Sequence, residues 1–205
     1  MESKSIHQEP WNKGKIVGQK LPLKQIEVWA LRVRLQLAKR RRDLVLFNLA
    51  IDSKLRACDL IGLRLKDIGH RERIAARATV MQRKTRRPVQ FEITEGTLTA
   101  FSDRIQESGI GEADYLFPSR CRQSRHLSTR QYGRIVHGWV RELGPDSAAY
   151  GTHTMGPTKA SLIYRRNKNL RAVQLLLGHT KPESTVRYLV IEVDDALEMA
   201  EQTEV

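Results

Sequence analysis

The chain has 205 residues, with 36 Lys and Arg against 23 Asp and Glu, a formal charge of +13 and a pI near 10.1. Hydrophobic residues make up 40%, enough to fill one compact core at this length, and cations spread along most of the chain are the footprint of a polyanion binder. No apolar run is long enough to cross a bilayer and the start, MESKSIHQEPWNKGK, is polar, so no membrane partner is expected and the cytoplasm is the expected compartment.

Residues 1–21 carry Pro, Gly, Lys and Gln with little apolar periodicity. They read as a flexible basic arm, able to lie along a phosphate backbone or to serve as an ordinary leader. From Leu23 the apolar residues Ile26, Trp29, Leu31, Val33, Leu35 and Leu37 predict a helix closed by Lys39-Arg40-Arg41-Arg42, cations that suit a helix C-terminus. A second helix follows through LVLFNLAID, with Asp52 or Ser53 placed to cap a third from about Leu55. Residues 73–93 gain β-branched side chains, and Val89, Phe91 and Ile93 alternate with Gln90 and Glu92, which predicts a hairpin or small sheet turning near Lys84 to Arg87.

Helices resume at about 94–108 and 128–142, separated by a loop holding DYLFPS. Short helices are then expected near 158–166, 170–177, 182–190 and 193–201, with Gly178 as a stop signal for the second of them. The expected class is mostly α with a small antiparallel β-sheet, in one domain over 22–205. Cys58 and Cys121 lie far apart, outside any metal-ligand spacing, and are expected to be reduced and without a role in the chemistry.

Several of these segments carry recognisable residues. SKLRACDLIGLRLKDI places Arg56, Asp59 and Leu60 on one helix. A Gln82-x-Lys84 turn follows, then His153-Thr154-Met155-Gly156, then Leu177-Gly178-His179, and Tyr188 nine residues after His179. From about residue 23 to 192 this order and spacing resembles the catalytic domain of the tyrosine recombinases, the family that includes phage integrases. Each motif is weak alone; their order is what makes the resemblance specific.

The resemblance implies a protein that cuts duplex DNA without metal or cofactor, through a 3′-phosphotyrosine that keeps the bond energy for rejoining. Carried over residue by residue, Tyr188 is the nucleophile and Arg56 a guanidinium clamp on the phosphate. Lys84 is the proton donor to the departing sugar oxygen, and His153 and His179 are the imidazoles near the phosphate. Arg83, Arg86 and Arg87 beside the turn are expected to touch DNA. Asp59 is assigned to holding its helix or orienting Arg56, and IEVDDALEMAEQTEV resembles the tail helix passed to a neighbouring protomer, so a homo-oligomer on DNA is expected. Packing of that helix on its own domain stays equally open.

One departure stands out. The family's second arginine belongs three residues after the first histidine, where this chain has Gly156 and then Pro157. Loss of one preorganised charge-stabilising donor typically slows such chemistry by on the order of 10²–10³. Two readings therefore follow: a site-specific recombinase or integrase of a mobile element with impaired activity, or an inactive DNA-binding regulator or competitor at recombination sites. A basic helical packaging protein, with purely salt-governed affinity, is the reading outside the family.

Overall fold

The structure is a computed structural model that describes residues 20–70, 73–119, 125–144 and 149–189. Most of the expected arm and the whole expected tail helix, with Cys121, fall outside these residues.

Helix α1 (Gln25–Leu37) begins where the Glu27 carboxylate accepts the Lys24 N–H at 2.7 Å, and it buries Val28, Leu31 and Leu35. Helix α2 (Arg41–Ser53) is buried from Leu44 through Ser53 and is the central element, packed on α1 and on two later helices. The Lys39–Arg42 run does not close α1. Lys39 turns the chain at φ 52°, and Arg40 bonds to Asp43 and Glu142, so these cations open α2 instead. Neither Asp52 nor Ser53 caps the third helix, because α2 continues through both; α3 (Ala57–Ile61) starts after Arg56.

Two separate two-stranded antiparallel sheets follow, where the sequence suggested a single one. The pair β1 (Gly69–His70) and β2 (Arg73–Ile74) is minimal. The pair β3 (Arg77–Met81) and β4 (Pro88–Glu92) sets Ala78 opposite Phe91 and Val80 opposite Val89, and its turn is closed by Gln82 and Arg87. Alternation does what it predicts here: Val89 and Phe91 are buried and Gln90 and Glu92 exposed.

Helix α4 (Glu95–Ser108) ends on Gly109 at φ 60°. Helix α5 (Thr129–Leu143) opens with a reciprocal Ser128–Gln131 capping box and puts Trp139 edge-on to Phe47 of α2, ring centroids 5.5 Å apart.

Helix α6 (Thr152–Asn167) begins six residues before the expected 158. Pro157 lies inside it rather than at its start. The lost amide donor removes one bond to the carbonyl of His153, and burial of Thr154 to Thr158, Ala160 and Ser161 outweighs that loss. Helices α7 (Leu170–Leu177) and α8 (Pro182–Leu189) fold back on α6 around a small second core of Ala160, Tyr164, Val173, Leu177 and Leu189. Among the described residues no helix is long and apolar enough to cross a membrane.

Candidate active site

The end of α2, the β3–β4 turn and the α7–α8 junction meet at a cleft of about 610 Å³. Arg56, Gln82, Thr85, Arg87, His179, Tyr188 and Lys54 are among its lining residues. Arg56 is exposed just ahead of α3, its Nη1 donating to Gln82 Oε1 at 2.8 Å; the Thr85 hydroxyl donates to the same oxygen at 2.7 Å. One amide side chain therefore fixes both the guanidinium and the turn. Asp59 does not orient Arg56: its Oδ1 accepts the Arg83 backbone N–H at 3.0 Å, anchoring the turn to α3.

His179 follows the left-handed stop at Gly178, and its backbone N–H and carbonyl both bond to Gln174. Its Nδ1 lies 3.1 Å from Thr185 Oγ1, and its ring stands edge-on to Tyr188, centroids 5.3 Å apart. Burial and then the nearby Arg56 charge lower its pKa, so the imidazole is neutral at neutral pH. Tyr188 is half-buried on α8 against the second core. Burial pushes its phenol well above the usual value, and Arg56 pulls it back only in part. The hydroxyl is thus protonated at neutral pH and needs a base to attack.

The expected residues do not all converge. His153 is exposed on the first turn of α6, outside the cleft lining. Lys84 is exposed at the tip of the turn whose neighbours line the cleft. Arg83 turns its guanidinium toward Gly62 on the other side of the hairpin, and Arg86, exposed at φ 53°, lies outside the lining, whereas Arg87 is part of it. Among the described residues no cluster of three or more His, Cys, Asp or Glu is disposed to hold a metal ion.

At position 156 a Cβ would collide with the Tyr188 hydroxyl. The space an arginine stem would need is filled by the tyrosine itself. Gly156→Ala is therefore expected to push the Tyr188 ring outward and raise its labelling by N-acetylimidazole, read by peptide mass spectrometry; labelling equal to the parent chain's would mean that the gap does not hold the ring.

Residues 27–193 match the model of the phage integrase family. The chain belongs to that family. It is 30% identical over 158 residues to the probable integrase/recombinase YoeC of Bacillus subtilis strain 168, covering 77% of this chain and 82% of the relative. It is 29% identical over 156 residues to the tyrosine recombinase XerC of Neisseria gonorrhoeae, covering 75% of this chain and 48% of the relative. The chain thus spans about half the length of that XerC. Among solved structures, XerA recombinase matches with a TM-score of 0.72 at 19% identity over 90% of this chain and 65% of that one. XerH bound to its difH substrate matches at 0.68 and 17% identity, over 89% and 54%. These likenesses establish a shared catalytic-domain fold.

This phage integrase family member also holds a group the sequence motifs passed over. Lys54 lines the cleft two residues before Arg56, in a left-handed conformation that closes α2. Its burial is visible only once α2 and α6 are packed; in the sequence it is one lysine among many.

Proposed function

We propose that this chain binds duplex DNA and breaks and rejoins its strands through a phosphotyrosine on Tyr188. The convergence of Arg56, His179 and Tyr188 on one cleft beside the β3–β4 turn carries the reading. The +13 charge fits a phosphate backbone as partner, and solved relatives such as XerH with difH and a lambda integrase dimer on a COC′ core site support DNA as that partner and assembly on it.

In this reading the Tyr188 oxygen bonds to phosphorus as the P–O5′ bond breaks. The phenolic proton passes to the neutral His179, and the departing 5′ oxygen takes a proton from Lys84 on the flanking turn. Arg56, already held by Gln82, meets the charge growing on the non-bridging oxygens. Attack by another strand's 5′-hydroxyl reverses the step, so bond energy is conserved.

The test uses suicide duplexes, nicked or carrying a phosphorothiolate, tiled from the sequences flanking the gene and run on denaturing gels. A covalent adduct mapped to Tyr188 is the expected result. Retarded DNA with no adduct would overturn strand breakage and leave the second reading, a DNA-binding regulator or competitor, which Gly156 in place of the second arginine favours.

A further inference from the structure

We propose that Lys54 is a phosphate ligand of the cleft, its ammonium supplying charge beside the gap where position 156 lacks a guanidinium. The inference rests on the DNA-binding reading above. Three observations place it. Lys54 lines the same cleft as Arg56, Arg87, His179 and Tyr188. Its backbone carbonyl lies 3.5 Å from the point where a Cβ on Gly156 would sit, so the backbone at Lys54 borders that position. Its Nζ donates to a backbone carbonyl, that of Asp52 at 3.1 Å, while the Asp52 carboxylate is taken up by Lys159, Thr94 and Thr97.

A half-buried ammonium whose hydrogen-bond partner is neutral is under-compensated, and an anion entering the cleft completes its pairing. The groups around it make the same point. Burial first, and then the Lys159 charge from α6, lower its pKa to about 8, against the opposing pull of Asp52 on α2 and Glu92 on β4. Arg56, Arg87, His179 and Tyr188 share the cleft with it and bring no carboxylate. A bound phosphate would restore the ammonium's stability as a cation. Lysine is a point charge rather than a two-pronged clamp, so it replaces an arginine in part only.

The left-handed backbone at Lys54, φ 56°, makes a clean test available, because glycine adopts it without strain. Lys54→Gly in the full chain is expected to melt no lower than the parent. Binding to nicked duplexes tiled from the gene's flanks, measured across a salt series, should lose about 0.9 from the slope of log K against log salt, the share of one phosphate contact. Lys39→Gly, at another left-handed lysine, calibrates the loss of one net charge. Adduct formation should fall on the order of 100-fold, and Lys54→Arg should recover much of both.

Parent-chain affinity should also weaken as pH rises through about 8, since the free ammonium is lost above that value, and Lys54→Arg should abolish this dependence. A slope change in Lys54→Gly no larger than in Lys39→Gly overturns the inference. A parent chain that never forms an adduct sinks strand breakage alone, while the salt slope still decides Lys54.

Discussion

Tyr188→Phe is expected to abolish the covalent adduct completely while changing DNA affinity by no more than a few-fold. The substitution removes one oxygen and keeps the ring. The edge-on contact with His179 and the packing on the Leu189, Val173 and Ala160 cluster both survive. What is lost is the proposed nucleophilic oxygen, the same hydroxyl that fills the space over Gly156. Stability should therefore move by about 1 kcal/mol or less, the scale of one small void. Gel trapping and thermal melting measure the two sides. A residual adduct would place the nucleophile on another residue; a large drop in melting temperature would mean that the hydroxyl holds α8 on α6.

Asp52→Ala is expected to have the largest effect on stability. The carboxylate is 1% exposed, accepts the Thr94 N–H at 3.0 Å and the Thr94 and Thr97 hydroxyls at 2.7 Å each, and pairs with Lys159 at 3.1 Å. It ties the C-terminal end of α2 to the start of α4 and to α6. Burial on its own would raise the carboxyl pKa, but the bonds from Thr97 and Thr94 and the Lys159 charge reverse that and hold it below the usual value.

Removing the carboxylate strands two hydroxyls, one amide and a cation that is itself partly hydrated, a loss of about 3–5 kcal/mol. For a chain of this size that corresponds to a fall of roughly 6–20 °C in Tm. Because the folded carboxyl is the stronger acid, its contribution is complete above the unfolded carboxylate value near ~3.9 and is lost as pH falls through the lower folded value. The gap between parent and Asp52→Ala should therefore be wide at pH 7 and shrink in strong acid. A gap of constant width would mean that the carboxylate's charge contributes nothing.

The sequence was most legible where local chemistry and packing agree. α4, α5, α7 and α8 fall within about a residue of their expected bounds, because Ser128 with Gln131 and the glycines at 109 and 178 write the ends into the chain. It misled where one local signal has two uses. Cations at 39–42 suit a helix end, yet here they pair with Asp43 and Glu142 and open the next helix. A Gly-Pro pair suits a helix start, yet tertiary burial carries α6 six residues further back.

For the cleft, the order of motifs brought Arg56, His179 and Tyr188 to attention, although more than 120 residues separate the first two. Motif order could not say that His153 stays outside the lining or that Arg83 faces away, since both depend on which way a turn or a helix is rolled. Lys54 escaped notice because its meaning comes from neighbours on α6 and β4 that are remote in sequence.

The Tyr188 hydroxyl resting where a side chain at 156 would begin makes these two positions non-additive by construction. A one-position-at-a-time mutational scan would record an arginine at 156 as harmful and a displaced α8 as harmful, and would miss the pair in which each change accommodates the other. Engineering a fully armed version of this cleft is therefore a problem in two variables, best approached with libraries that vary position 156 and the α7–α8 junction in the same molecule.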